Sequence, residues 1–132
     1  LLLSDGEGPD IKTLLGIGGS DDSLYALEVA IDRAKEAGDD LTIAIVENPE
    51  TSLTQAEIRD RATEALSDVD FDAEVTTLSG HPGSQLVELA ERGSFDRIVL
   101  GGGETSPLGK VQLGEISEFV ILNAQTTVTL IR

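Results

Sequence analysis

Apolar positions along the chain follow two spacings. Ile11 to Ile17, Leu41 to Val46, Ala73 to Leu78, Arg97 to Leu100 and Thr126 to Ile131 are short apolar or β-branched runs, the signature of strands. LTIAIV at 41–46 is nearly continuous in apolar residues, which suits a strand buried on both faces of a parallel sheet. Between these runs the spacing becomes helical. Leu24, Leu27, Ile31 and Ala34 make one face of a first helix, with Asp32, Lys35, Glu36 and Asp39 on the other side or at the end. Ile58, Ala62, Ala65, Leu66 and Val69 line a second helix. Leu86, Val87, Leu89 and Ala90 line a third, and Ile116, Phe119 and Val120 a fourth over Glu115 to Asn123.

Local signals set the ends of these elements. Ser20, Asp21 and Asp22 offer N-cap oxygens for the first helix, and Gly38 stops it. Thr54 and Glu57 form a capping-box pattern, and Leu53 with Ile58 a hydrophobic staple. Pro82 in Gly80-His81-Pro82-Gly83 suits a first helical turn, and Gly93 ends that helix. Residues 1–10 read as an N-terminal tail and 11–132 as one domain. Five strands alternating with four helices predict an α/β fold, a five-stranded parallel sheet with helices on both faces. Ligands of such sheets bind beyond the carboxyl ends of the strands, where strand order reverses. Glycines stand at two such ends: Gly16, Gly18 and Gly19 after the first strand, and Gly101, Gly102 and Gly103 after the fourth. If those strands are neighbours, the two glycine turns face each other across one crevice.

Composition narrows what the crevice serves. The 132 residues hold 25 Asp and Glu against 9 Lys and Arg, a net charge of −16. Such a surface is a poor partner for nucleic acid, which needs clustered bases. The acids are dispersed and lysine is found only at 12, 35 and 110, a pattern of adaptation to high salt. Molar salt shortens the screening length to about 3 Å and removes most self-repulsion. No apolar run is long enough to span a membrane, and cysteine is absent, so thiolate metal sites and disulfides are excluded and a cytoplasmic location is expected. Without a Met, the start reads as trimmed or internal. Aromatics are 3%, so the core is expected to be aliphatic.

From Ile11 onward the chain resembles the universal stress protein family. TLLGIGGSDDSLYAL resembles the family's opening strand and turn, Gly80-His81-Pro82 its G-x-P before the third helix, and Asp96 to Arg132 its closing strand, loop, L-G-x-x-S-E helix and last strand. The resemblance implies strand order 3-2-1-4-5, flavodoxin-like and similar to the adenine nucleotide alpha hydrolases. It also implies a homodimer, here through the edge strand Thr126–Ile131. An uncovered β-branched edge is a liability unless it is paired.

Many members bind ATP through G-x2-G-x9-G-[ST]. On that frame the nucleotide-lining candidates are Gly16, Ile17 and Gly18, then Val46, then Leu100, Gly101, Gly102, Gly103 and Glu104, and finally Gly114, Glu115 and Ile116. Gly101 and Gly114 keep the outer glycines. Glu104 replaces the middle glycine, Glu115 the Ser/Thr, and Gly18 the aspartate that holds the adenosine end in the family. A helix N-terminus attracts phosphate, but Glu115 in that first turn takes up the same field. A carboxylate ~5 Å from a phosphate charge at an effective dielectric of ~20 opposes binding by roughly 3 kcal/mol, on the order of a hundredfold.

The expected function is therefore a non-catalytic, homodimeric stress-response domain whose degenerate crevice binds ATP weakly or not at all. It would have no resident cofactor or metal, and its protein partners are unknown. The alternative is an ATP or adenine-nucleotide sensor that tolerates the altered motif, with magnesium bridging carboxylates and phosphates. No nucleophile, base and orienter set supports an enzyme. His81 reads as a solvated turn residue, Asp21 and Asp22 as helix-capping groups and Lys110 as a solvated lysine. Thr105 to Leu113 reads as a loop, either a mobile lid or merely disordered, with Ser106-Pro107 and Gly109 favouring mobility over a fixed catalytic arrangement.

Overall fold

A computed structural model describes residues 11–102, 104–105, 111–112 and 114–132. The strands are β1 (Lys12–Ile17), β2 (Asp40–Ile45), β3 (Glu74–Thr77), β4 (Arg97–Gly101), β5 (Glu104–Thr105), β6 (Val111–Gln112) and β7 (Thr127–Ile131). The helices are α1 (Asp21–Ala37), α2 (Gln55–Asp68), α3 (Pro82–Arg92) and α4 (Glu115–Asn123). The main sheet is parallel, in the order β3-β2-β1-β4-β7, which is the expected 3-2-1-4-5. The segment read as a strandless loop departs from expectation. Glu104 pairs with Gln112 and Thr105 with Val111 in a short antiparallel ladder. Two rungs are too short to show an alternating pattern in the sequence.

Strand alternation divides the core in two. Leu15, Ile17, Leu41, Ile43, Ile45 and Val99 face α1 and α2, packing on Ala26, Leu27, Ile31, Ile58 and Ala62. Leu14, Ala44, Val46, Ile98 and Leu100 face α3 and α4, packing on Leu86, Ala90 and Val120. Both sets are aliphatic. Among the described residues no helix is long and apolar enough to cross a membrane. The two described lysines sit at corners of the fold. Lys12 Nζ donates to the Gly93 carbonyl and lies over the Phe95 ring, and Lys35 Nζ donates to the Val69 carbonyl.

Helix ends follow the sequence signals closely. Ser20 caps α1 by accepting from the Ser23 N–H at 3.1 Å, and Gly38 closes it with φ 75°. The capping of α1 thus falls to Ser20, while Asp21 and Asp22 occupy its first turn. The α2 capping box is complete. Thr54 Oγ1 accepts from the Glu57 N–H at 3.1 Å, and the Thr54 N–H donates to Glu57 Oε1 at 2.9 Å.

That backbone hydrogen bond, followed by the one to the Thr54 side chain, holds the Glu57 carboxyl below its ordinary value. A carboxylate lowered in the folded state stabilises the fold above its unfolded pKa, and the contribution is lost as pH falls through the lowered value. Glu57→Gln is therefore expected to shift the midpoint of acid unfolding and to narrow the stability difference between neutral and acid pH. Thr54→Ala is expected to cost about 1 kcal/mol at neutral pH. Urea unfolding across pH checks both, and an unchanged pH profile for Glu57→Gln would contradict the assignment.

Candidate functional site

The pairing of β1 with β4 places Gly16 beside Leu100, so the turns after these two strands open side by side. Between them lies a crevice of about 500 Å³, within the range of small-molecule sites. Gly16, Gly18, Val46, Leu100, Gly101 and Gly102 line its strand side, and Gly114, Glu115 and Ile116 line it from the start of α4. Nine of the residues singled out in the sequence therefore meet at one opening. Ile17 does not join them. Its side chain is buried on the opposite face of the sheet, among the residues under α1 and α2, because strand alternation turns it away from its neighbours Gly16 and Gly18. Glu104 is described only as a residue of β5, and Gly103 lies outside the described residues.

The glycines do different work from that expected. Only Gly19 of the first turn has a left-handed backbone, φ 89°. At Gly16 and Gly18 the backbone is ordinary and the side chains of Leu86 and Asn48 stand close by. A Cβ at Gly16 would stand 2.7 Å from the Leu86 side chain, and one at Gly18 3.1 Å from Asn48 Cβ. The tightest approach is at Gly101, where a Cβ would stand 2.3 Å from the Asp22 carbonyl oxygen. Here the first turn of α1 rests on the end of β4 with no room for a methyl group. Gly114 is the opposite case: it is the N-cap of α4, makes no side-chain cap hydrogen bond and has open space around its Cβ position.

Several wall residues had no readable motif. Asn48 leaves the end of β2 and ties two loops together: its Nδ2 donates to the Gly18 carbonyl at 3.2 Å, and its Oδ1 accepts from the Glu50 N–H at 3.1 Å. Thr51 Oγ1 donates to the Gly19 carbonyl at 3.2 Å, which completes the tie. His81 is more than a solvated turn residue. Its Nδ1 accepts from the Ser84 N–H at 3.1 Å and caps α3, and its ring lies 4.7 Å from that of Phe119. Phe119 in turn packs so closely on Gly83 that a Cβ there would stand 2.5 Å from the ring, which brings α3 and α4 together behind the crevice. Ser117, buried in the first turn of α4, also lines the opening.

The charge of the wall is one-sided. Asp22, Glu50 and Glu115 line it, and its described residues include no Lys or Arg. Among the described residues no group of three or more His, Cys, Asp or Glu is placed to hold a metal ion. A second concavity of about 410 Å³ lies between α1 and α2, floored by Leu27 and Ile31 and rimmed by Glu28, Asp32, Arg61, Glu64 and Asp68. It is the seam between two packed helices, away from the carboxyl ends of the strands, so the crevice is the candidate site.

Residues 12–132 match the Universal stress protein family, and the chain belongs to that family. It is 29% identical over 148 residues to Universal stress protein MJ0531 of Methanocaldococcus jannaschii, an alignment spanning 99% of this chain and 87% of the relative. A solved universal stress protein in complex with cAMP is 28% identical, with a TM-score of 0.71 over 94% of this chain and 98% of that one. A universal stress protein from Archaeoglobus fulgidus shares the fold at 20% identity and a TM-score of 0.73, over 94% of this chain and all of that one.

The close approach at Gly101 gives a direct prediction. Gly101→Ala must push α1 away from β4 and is expected to lower stability by about 1–3 kcal/mol. Gly114→Ser, made into open space, is expected to stay within about 0.5 kcal/mol of the parent. Urea denaturation of both variants tests this, and a neutral Gly101→Ala would contradict the packing described.

Proposed function

We propose that this stress-response domain is non-catalytic and cytoplasmic, forms a homodimer through β7, and binds ATP weakly or not at all. Charge decides this reading. A phosphate chain laid along the crevice toward α4 meets Glu115 in the first turn of that helix, with Asp22 and Glu50 on the same wall and no lining Lys or Arg among the described residues. The favourable field of the α4 N-terminus is already matched by Glu115 and Glu118 in its first turn. The net charge of −16 adds long-range repulsion of an anion and suits a salt-rich cytoplasm, where screening weakens it. β7 is the sheet edge beside β4, and its outer positions are only partly covered, which favours pairing with a second copy.

A second reading is an adenine-nucleotide sensor that tolerates the altered motif. It is favoured by the 28% identity to a universal stress protein solved with cAMP. Glu115 is also solvent-exposed, so salt and magnesium would soften its repulsion.

Sedimentation velocity in molar potassium chloride with excess ATP separates the two. The chain has no Trp and one Tyr, so absorbance at nucleotide wavelengths in the protein boundary reports bound ligand. The expected result is a dimer at micromolar concentration with no nucleotide in the boundary. Nucleotide moving with the protein would favour the sensor, and a monomer would contradict pairing through β7.

A further inference from the structure

The seam between α1 and α2 holds surface that neither the core nor the crevice uses. Leu24, Ala65 and Val69 line it and are only half-buried, so apolar floor is left over after the two helices pack. Its rim carries four exposed carboxylates, Glu28 and Asp32 on α1 and Glu64 and Asp68 on α2, against one guanidinium, Arg61. None of the four is in an ion pair among the described residues. Both helices connect parallel strands and pack on the same face of the sheet, so they run the same way. The bond from Lys35 Nζ to the Val69 carbonyl sets their carboxyl ends side by side. Asp68 stands in the last turn of α2, which has no basic residue, where the field of a helix favours a cation. The seam therefore lacks positive charge at its rim and cover on its floor. An apolar floor between two acidic rims complements an amphipathic helix whose apolar stripe is flanked by Lys or Arg. The stems of those side chains lie along apolar surface while their heads reach the rims. From Leu24 to Asp32 the α1 wall runs about 12 Å, roughly two turns of such a helix. A second copy of this chain does not suit the seam, because two facing seams bring like charges together on chains of net charge −16.

We propose that the α1–α2 seam is a docking groove for a cationic amphipathic helix of a protein partner. The apolar stripe of that helix covers Leu24, Ala65 and Val69, and its lysines or arginines meet Asp32 and Asp68. The groove lies on the face of the sheet opposite α3 and α4, and it is independent of what the crevice binds.

Amide chemical shifts of the full chain, titrated with a capped helical peptide of lysine and leucine, test the groove. The leucines recur at i, i+3, i+4 and i+7. Molar potassium chloride is the medium, since charges in contact still attract at a screening length of about 3 Å. The comparison probes are a peptide of the same composition in scrambled order, a peptide with glutamate for every lysine, and spermidine. The lysine–leucine peptide is expected to bind one per chain, with saturable shifts confined to α1 and α2. The scrambled peptide is expected to bind at least about tenfold more weakly, because its apolar stripe is broken, and the glutamate peptide not at all. Asp32→Asn with Asp68→Asn, both at exposed positions, is expected to weaken binding by about fivefold. Glu91→Gln with Glu118→Gln removes the same charge from the α3 and α4 side and is expected to leave the affinity unchanged. Melting curves check the folding of both double variants. Absence of saturable binding by the lysine–leucine peptide would overturn the groove. Equal binding of the scrambled or the glutamate peptide, or equal weakening by the two double variants, would overturn it as well. Spermidine binding at the same amides as tightly as the peptide would overturn the helix as its occupant.

Discussion

The architecture of the site depends on one close approach. The first turn of α1 lies against the end of β4 so tightly that a Cβ at Gly101 would stand 2.3 Å from the Asp22 carbonyl oxygen. Because β1 and β4 are neighbours, this contact joins the two turns at the point where the chain reverses its direction of sheet growth. α3 and α4 close the other side through the contact between Gly83 and Phe119, and Asn48 and Thr51 tie the loop after β2 to the turn after β1. The crevice is thus a product of packing. Gly83 and Gly101 let neighbouring elements touch, and the opening is the space that remains.

This changes what a glycine-rich turn implies. Glycines at a strand's carboxyl end suggest a backbone cradle for phosphate when they are read alone. In this fold Gly16 and Gly18 lie against the side chains of Leu86 and Asn48 and Gly101 against the backbone of Asp22, and the need at Gly101 persists whether or not a phosphate ever binds. The glycine at 101 is therefore needed by the packing of α1 on β4, independently of any anion. Glu115 can sit at the start of α4 without cost to the fold, because it is exposed and because an acid in a helix's first turn is favourable. Glu115 thus suits the helix and at the same time adds negative charge to the crevice wall.

Much of the fold was legible because its signals are periodic or local. The apolar run Leu41–Val46, the helical spacing from Leu24 to Ala34, the Thr54–Glu57 box, the Pro82 start and the Gly38 stop each carry their own physics, and each is found in place. The convergence of Gly16, Gly18 and Gly101 to Gly102 followed once β1 and β4 were adjacent. What escaped was chiefly what depends on contacts between distant segments, with a few local features besides. Nothing around Asn48 announces that it will pin Gly18, thirty residues earlier. His81 showed its turn but not its hydrogen bond to Ser84 or its contact with Phe119. Ile17 was grouped with its sequence neighbours, although strand alternation points it into the other core. The β5–β6 ladder has two rungs, too few for any pattern.

The central claim is that the frame of the nucleotide site persists while its phosphate end has been withdrawn. Amide chemical shifts during titration with excess ATP in molar potassium chloride test this most directly, because Ile116 and Ser117 stand in the α4 turn where a phosphate would be held. The account predicts that these two amides show no saturable shift over the titration. Saturable shifts at Ile116 and Ser117 would contradict it, since they would show phosphate held at the α4 N-terminus despite Glu115.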